Sequence, residues 1–342
     1  MQKEQKKDKL VYLEIIRIVS CLFVILNHSC TLYMLGVAPL DATRILLDVL
    51  FLLCKTAVPM FLMVSGALLL GREEPLQKVL KRVGRILLII ILMSAIYYVL
   101  GREELSLGGF FLGLFAGPMT NSYWYLYLYF GMLLMLPILR KLQLAEKEYL
   151  YLTVLYVIFQ GLFPVMSYYF GWQRMAEEIH FPLFSTYVYC FLMGYYFVKV
   201  KKTYTKKGAL ISALAVTLSL GISLGLTLWE NGQKGFAMFD VLYEKEIYLP
   251  TMALALGLFY LIGYMGNFHF PRLLKSILVY VGGCTFTIYL VSDIFIHHVS
   301  EMVWNGNMLA GVLLKTAGVF MAGLLVASVL RFVPGIRKIL FS

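Results

Sequence analysis

The chain has 342 residues, of which 61% are hydrophobic and 14% are charged, with a formal net charge of +11 and a mean hydropathy of +0.80. A soluble globular protein cannot bury so much apolar surface, so this composition excludes that class and predicts a polytopic membrane protein. The positive charge does not indicate nucleic-acid binding, because the basic residues lie in short loops between apolar runs.

The first apolar run, from Leu10 to about Leu35, carries three polar residues on one predicted helix face. Glu14 and Arg17 are three residues apart, which favours an ion pair. His28 lies eleven residues after Arg17, about 16 Å further along that face. Charged residues inside a membrane span normally face the bundle interior and mark a pathway or a reactive site. The alternative is that Arg17 reaches the membrane interface and His28 stabilises a helix–helix contact.

Ten apolar segments are predicted to cross the membrane. They cover about 10–35, 45–70, 86–100, 123–139, 149–170, 182–198, 208–229, 248–265, 276–296 and 308–330. The mixed segment 101–122, which is rich in glycine and phenylalanine, is compatible with a half-inserted loop on the outer side. The expected fold class is therefore an all-α integral membrane bundle of about ten helices. It forms one domain over 1–342, with tails at 1–9 and 331–342.

The distribution of basic residues predicts the orientation of these helices. The tails and loops on one side contain 22 lysines and arginines, whereas those on the other side contain five, namely Arg44, Arg102, Arg174, Lys234 and Lys245. Basic loops remain in the cytoplasm, so both termini are expected to be cytoplasmic. No loop exceeds about twenty residues, and any chemistry is therefore expected within the helix bundle.

Charged residues in the other spans are candidates for function. Lys55 lies deep in the second span, where a cation needs a partner or a water-filled cavity. Asp48 lies two turns earlier on the same face. Asp293 and Lys315 lie in the outer halves of the last two spans and are close enough in depth to pair. Structural ion pairs are the alternative for all four, and the sequence does not choose between the possible pairings.

Arg82 and Arg85 lie where the third span begins, one turn after Lys78 and Lys81. Arginine presents a planar fork of donors that suits phosphate, so this cluster could hold the phosphates of a nucleotide-like donor. The alternative is that these residues are ordinary anchors on the cytoplasmic side of the membrane.

The aromatic run at 123–127, which opens with Tyr123 and Trp124, begins the fourth span. Aromatic residues are common at the membrane interface, so a belt anchor is one interpretation. The other is an acceptor groove, since such rings also stack on sugars.

No metal site is predicted. His297 and His298 are adjacent, so they point in different directions on a helix and make a poor pair of ligands. The five cysteines all lie in predicted spans without CxxC spacing, which indicates core residues. Gly221 and Gly225 have the spacing of a close helix–helix contact.

Several segments, in this order, resemble the integral membrane acyltransferase 3 family. They include Glu14-x-x-Arg17 followed after ten residues by His28, the stretch VPMFLMVSGALLLGREEPL at 58–76, Arg82-x-x-Arg85, WYLYLYFGMLLMLPILRKL at 124–142, FLMGYYF at 191–197 and GGCTFTIYL at 282–290. The chain is most similar to the compact branch that acetylates bacterial surface glycans and lacks an appended soluble domain. It departs from the family pattern at Ser292, where a histidine is common, and at Ile89, where a proline is common.

The resemblance implies a multi-pass enzyme of the bacterial plasma membrane, with membrane lipid, not nucleic acid, around it. Its co-substrate would be an acyl-CoA, most simply acetyl-CoA, with no permanently bound cofactor. Its acceptor would be a hydroxyl of a surface polysaccharide or a lipid-linked glycan precursor. His28 would act as general base or carry the acyl group, and Glu14 would orient Arg17. Arg82 and Arg85, with Arg17, would bind the phosphates or the thioester end.

Four further residues complete the predicted site. Lys55 is assigned with Arg82 and Arg85 to donor binding, and Tyr123, Trp124 and Asp48 are assigned to acceptor binding.

Two other classes of function remain open on the sequence alone. A transporter or flippase of a glycan or small acylated molecule would also suit ten helices with buried charges, although no inverted repeat or pair of broken helices is evident. A membrane sensing or assembly module without catalysis would require that His28 and the arginines be dispensable. The acceptor, the acyl chain length and the oligomeric state do not follow from the sequence.

Overall fold

The structure is a computed structural model that describes residues 2–34, 42–101, 106–142, 144–172, 185–234, 240–244, 247–298 and 308–341. Within these ranges every regular element is a helix. The chain divides into two compact units, one containing residues 1–68 and 144–326 and the other containing residues 69–143 and 327–342. The single membrane domain expected from the sequence remains a prediction.

Sixteen α-helices are formed by the described residues. They are α1 (Gln2–Met34), α2 (Ala42–Cys54), α3 (Ala57–Leu69), α4 (Leu76–Gly101), α5 (Leu107–Ala116), α6 (Trp124–Leu139), α7 (Glu146–Val157), α8 (Phe163–Phe170), α9 (Thr186–Tyr195), α10 (Lys206–Lys234), α11 (Val241–Glu244), α12 (Leu249–Met265), α13 (Arg272–Gly282), α14 (Thr285–His298), α15 (Met308–Leu330) and α16 (Pro334–Leu340). A π-helical turn at Ile158–Leu162 joins α7 to α8, and another at Tyr196–Lys201 follows α9.

Seven helices or joined helices of the described chain are long and apolar enough to cross a membrane, and a bent pair makes an eighth. The seven are Val11–Cys30, Ala42–Leu69, Leu76–Gly101, Asn121–Leu139, Glu146–Phe170, Lys206–Gln233 and Met308–Leu330. They correspond to seven of the predicted spans, and the bent pair α13–α14 corresponds to the ninth. The protein is therefore an all-α membrane protein.

The two remaining predicted spans are short helices in the structure. Helix α12 has 17 residues and matches the predicted span 248–265. The predicted span 182–198 begins outside the described residues, and its described part is α9 with the π-helical turn after it. In the mixed segment 101–122, the structure forms the short apolar helix α5, in which Ser106 caps the N-terminus by accepting from the Gly109 amide at 3.0 Å. The count of ten spans and the cytoplasmic position of both termini remain predictions.

Helix α1 is at the centre of the first unit, where it packs against α2, α12, α13 and α14. Two contacts give its direction relative to α13 and α14. A side chain at Gly282 would overlap Glu14, and the Cys21 thiol donates to the Thr285 carbonyl at 3.6 Å. Later residues of α1 thus meet later residues of the α13–α14 pair, and the two run in the same direction.

Two of the membrane-spanning segments are broken, which the sequence reasoning did not anticipate. Helix α2 ends and α3 begins around Lys55 and Thr56, because Pro59 has no amide hydrogen to donate to the Lys55 carbonyl. The Thr56 hydroxyl caps the end of α2 by donating to the Leu53 carbonyl at 2.6 Å. The second break separates α13 from α14 at Gly283 and Cys284, with a bend of 58°. Non-helical backbone at membrane depth is tolerated where protein or a cavity covers it.

Helices α3 and α9 approach so closely that two glycines are required between them. A Cβ at Gly66 would overlap the Phe191 carbonyl, and a Cβ at Gly194 would overlap the Met63 carbonyl. Gly194→Ala is expected to destabilise the protein by about 1–3 kcal/mol, because backbone cannot move aside as a flexible side chain can. The midpoint of thermal unfolding in detergent measures the effect.

Gly221→Ala is the matched control for Gly194→Ala. A Cβ there has no described atom within 4 Å, and the same is true of Gly225, so the close packing expected at this pair is not formed by the described chain. Alanine in this helix interior is expected to leave stability unchanged or raise it by up to about 1 kcal/mol. Equal losses for Gly194→Ala and Gly221→Ala would show that the α3–α9 contact is not the cause.

Candidate active site

Glu14 and Arg17 form the ion pair that their spacing predicts. One guanidinium nitrogen of Arg17, Nη1, lies 3.1 Å from each carboxylate oxygen of Glu14. The Arg17 side chain keeps 30% of its surface exposed, compared with 19% for Glu14. Gly282 allows the pair to lie directly against the end of α13, because any side chain there would overlap the Glu14 carboxylate. Glu14 can therefore orient Arg17 while leaving part of its guanidinium accessible.

His28 lies three turns beyond this pair, partly buried, within a cluster of charged side chains. Asp293 of α14, Lys55 at the α2–α3 break and His297 of α14 all lie within electrostatic range of its imidazole. Asp293 is buried, and its Oδ1 is 3.7 Å from Nε2 of the His297 side chain, which is 63% exposed. The cluster combines a proton acceptor (His28), a carboxylate (Asp293) and a cation (Lys55).

Lys55 occupies the break between α2 and α3, where its ammonium faces two aromatic rings. Its Nζ lies 4.0 Å from the centroid of the Phe51 ring and 4.6 Å from that of the Tyr243 ring. Phe51 belongs to a buried cluster with Leu26 and Cys30 of α1, which flank His28 in the sequence. Cation–π contacts therefore position Lys55 beside the part of α1 that carries His28.

Asp48 is part of a buried ion pair in the structure. Nε of Arg44 donates to its Oδ1 at 3.0 Å, and both side chains are almost fully buried, at 5% and 1% exposure. The sequence reasoning placed Arg44 in an outer loop, but the structure includes it in the first turn of α2. A buried pair of this kind is held by mutual neutralisation, so the role of Asp48 in acceptor binding remains a prediction.

Asp293 has two neighbours that the sequence did not suggest. Its carboxylate lies beside His297 and within electrostatic range of His28, and the pairing with Lys315 that depth suggested remains a prediction. Lys315 is also buried, at 6% exposure. Asp293 and His28 are 265 positions apart in the sequence. The depth of each residue in its span does not predict which residues of other helices lie beside it, so this proximity could not be predicted.

The second unit contains a separate cluster of arginines around Glu74. The Glu74 carboxylate accepts from Nη1 of Arg82 and from Nη2 of Arg140, each at 3.1 Å. Arg140 also donates from Nε to the Leu69 carbonyl at 3.0 Å. Arg85 lies one turn after Arg82 and is partly buried. Glu74 thus holds two arginines in fixed positions, an arrangement suited to recognising an anion.

Neither Glu74 nor Arg140 was identified from the sequence. The available signal was weak: both lie in loops that the charge distribution places on the same side of the membrane. Basic residues in such loops usually have only a topological role, so the individual contacts could not be inferred.

Glu74→Gln is expected to lower stability by about 1 kcal/mol at neutral pH, the scale of partly screened charge pairs. The hydrogen bond from Arg82, followed by that from Arg140, lowers the pKa of the Glu74 carboxyl from its ordinary value of 4.5 to about 2. Because the folded-state pKa is depressed, this stabilisation is fully present above pH 4.5 and disappears as the pH falls through about 2.

Unfolding midpoints of the wild type and of Glu74→Gln, measured between pH 7 and pH 3, test this dependence. The difference is expected to stay constant down to about pH 4.5 and then to shrink. A difference independent of pH would mean that the loss does not arise from the Glu74 charge.

Tyr123 and Trp124 differ in how accessible they are. Tyr123 is fully buried and packs edge-on against Tyr97, with ring centroids 5.1 Å apart. Trp124 begins α6 and is only partly buried. Of the two residues predicted to bind the acceptor, Trp124 is the one that retains accessible ring surface.

Three comparisons with known proteins were informative to different degrees. Neither the search of curated proteins nor the search of solved structures found a match. A family model described as an acyltransferase domain, that of the acyltransferase 3 family, matches residues 10–332. This match covers nearly the whole chain, including the Glu14–Arg17 pair, His28 and the Glu74 cluster. The chain therefore belongs to the acyltransferase 3 family, and it is a membrane acyltransferase.

Proposed function

We propose that the protein moves an acyl group, and specifically acetyl, from cytoplasmic acyl-CoA to a hydroxyl of a cell-surface polysaccharide or lipid-linked glycan precursor. It would act in the plasma membrane of a bacterium. The family match supports acyl transfer in the membrane. The donor and the acceptor are inferred from the chemistry of the side chains and from the resemblance of the motifs.

The observation that supports the proposal is that His28 lies within electrostatic range of both a buried carboxylate and a cation. Asp293 and Lys55 lie within electrostatic range of the imidazole. Acyl transfer to a hydroxyl needs a base for the hydroxyl proton and positive charge for the oxygen that becomes negative. His28 and Lys55 provide these two groups within one compact unit.

In the direct mechanism, His28 accepts the proton of the acceptor hydroxyl while the hydroxyl oxygen attacks the thioester carbonyl carbon. The carbonyl oxygen becomes an oxyanion, which the Lys55 ammonium stabilises. The tetrahedral intermediate then collapses, and the carbon–sulfur bond breaks. His28 returns its proton to the departing thiolate, so the products are the acyl ester and free CoA thiol.

In the covalent alternative, an imidazole nitrogen of His28 attacks the thioester and carries the acyl group. The CoA thiolate leaves with the imidazole proton. The acceptor hydroxyl then attacks the acyl-imidazole, and its proton passes back to the ring. Both routes use the same residues, and they differ in whether an acylated His28 accumulates without an acceptor.

The arginines suit the donor. Arg82 and Arg85 would bind the CoA phosphates, with Arg82 held in place by Glu74. Arg17, oriented by Glu14, would bind a phosphate or the thioester end. The acceptor would be bound by Trp124 through ring stacking, with Tyr123 and Asp48 as the other predicted contacts.

The proposal is tested with protein purified in mild detergent and incubated with CoA carrying a labelled acetyl group. Label is expected to leave CoA and to appear in a glycan fraction when bacterial cell-envelope extract is added. Release of free CoA is followed separately. Absence of both donor binding and turnover, with envelope extract present, would contradict acetyl-CoA as the donor.

The transporter alternative has one structural observation in its favour, namely the bend between α13 and α14, since discontinuous helices are common in transporters. The family match favours the enzyme. If labelled CoA is not used, flux of a labelled glycan into vesicles containing the purified protein is the next measurement.

A further inference from the structure

We propose that Asp293 is the positioning residue of His28: its carboxylate holds the imidazole in the orientation that accepts the hydroxyl proton and stabilises the imidazolium that results. The inference rests on the proposed function, because it requires His28 to be the catalytic base. Asp293 was considered from the sequence only as half of a structural ion pair.

The register of α1 and α14 supports this pairing. The thiol of Cys21 donates to the Thr285 carbonyl, and the two helices run in the same direction from that contact. His28 lies seven residues beyond Cys21, or about 10 Å, and Asp293 lies eight residues beyond Thr285, or about 12 Å. The two side chains are therefore at nearly the same height on packed helices.

The burial and the charge of Asp293 also support its pairing with His28. Asp293 is 3% exposed, and His28 lies within its electrostatic range. A buried carboxylate needs a hydrogen-bond donor or a positive charge nearby. Within the described part of the chain, the charged groups that act on His28 are Asp293, Lys55 and His297. Asp293 is the one carboxylate among them, so it is the group that can balance the positive charge that His28 acquires when it takes up the proton.

The residue beside Asp293 on this turn of α14 is occupied within its own helix. The hydroxyl of Ser292 donates to the Tyr289 carbonyl at 2.9 Å. Asp293 therefore supplies the ionisable side chain at this point of the helix.

The test compares Asp293→Asn, Asp293→Glu and His297→Ala with the wild type and His28→Ala in the labelled acetyl-CoA assay. Asp293→Asn keeps the volume and removes the charge. Its kcat is expected to fall by about 10²- to 10⁴-fold, the range for impaired acid–base catalysis, with KM for acetyl-CoA changed less than about threefold. The kcat of Asp293→Glu is expected to be at least about ten times the kcat of Asp293→Asn, because glutamate restores the carboxylate.

His297→Ala separates a role toward His28 from a structural pairing with His297. It removes the exposed histidine that lies 3.7 Å from the same carboxylate. If Asp293 acts on His28, kcat stays within about threefold of the wild type. If Asp293 serves only to anchor His297, the losses in Asp293→Asn and His297→Ala are equal, and the inference is overturned.

The remaining outcomes are also decisive. Activity that depends on His28 but survives Asp293→Asn overturns this inference and leaves the proposed function intact. Activity that survives His28→Ala, or no wild-type turnover, overturns both. Should Asp293→Asn fail to fold, Asp293→Ser replaces it as the variant without a carboxylate: a kcat reduced by about tenfold or more at constant KM supports the inference, and an unchanged kcat contradicts it.

Discussion

Replacing His28 by alanine is expected to abolish acyl transfer while leaving the protein folded. In the direct mechanism the loss in kcat is about 10²- to 10⁴-fold, because a positioned general base contributes that much. In the covalent mechanism, His28→Ala cannot form the acyl-enzyme, so kcat is expected to fall to the rate of the uncatalysed reaction. The side chain is only partly buried, so its removal creates no large void in the core. Transfer of label from acetyl-CoA and release of free CoA measure the loss.

His269→Ala is the matched control for His28→Ala. His269 is exposed and lies in the turn between α12 and α13. It is expected to keep full activity, and both variants are expected to keep the wild-type unfolding midpoint within a few degrees. Near-normal transfer by folded His28→Ala would show that the imidazole takes no part in the reaction.

The same preparation distinguishes the two mechanisms. Wild-type protein incubated with labelled acetyl-CoA without an acceptor is digested quickly and analysed by mass spectrometry. An acetyl group on the peptide containing His28 would support the covalent route. Unlabelled peptide from a protein that turns over when acceptor is added would support the direct route.

Replacing Arg82 or Arg85 by alanine is expected to raise KM for acyl-CoA by about tenfold or more, with a smaller effect on kcat. Hydrogen bonds to charged groups contribute about 1.5–3 kcal/mol, and each 1.4 kcal/mol corresponds to a factor of ten. Arg82→Lys is expected to recover only part of the affinity, because lysine keeps the charge and loses the planar fork of donors. Initial rates over a range of acetyl-CoA concentrations separate KM from kcat.

Lys81→Ala removes one positive charge from the same helix and is the control for the loss of charge alone. Lys81 is exposed. A purely electrostatic attraction of the donor would give similar effects for Lys81, Arg82 and Arg85, and all of them would weaken with salt. Specific phosphate binding predicts a larger effect at the arginines. Unchanged KM in both arginine variants would place the donor phosphates elsewhere.

Lys55 lies in the two-residue interruption between α2 and α3, four residues before Pro59, and within electrostatic range of His28. A lysine at this place is the cation that the proposed oxyanion requires.

The amino-acid sequence alone was sufficient for much of the fold and for part of the site. Hydropathy predicted the membrane helices, because a span needs about twenty consecutive apolar residues whatever surrounds it. The Glu14–Arg17 pair followed from spacing within one helix, where geometry is local and regular. The order of short motifs identified the family, and the family match confirmed it.

Only the tertiary structure decided which residues from different helices meet. Asp293 and His28 are brought together by the packing of α14 on α1, and Glu74 binds Arg82 of α4 and Arg140 in the turn after α6. Hydropathy gives the approximate depth of a residue but not the rotation of its helix or its neighbours. Depth in the membrane suggested Lys315 as a partner of Asp293, and it did not suggest His297 or His28. Contacts between different helices are non-local, which is why the spans and the Glu14–Arg17 pair could be predicted from the sequence and the contacts of Asp293 could not.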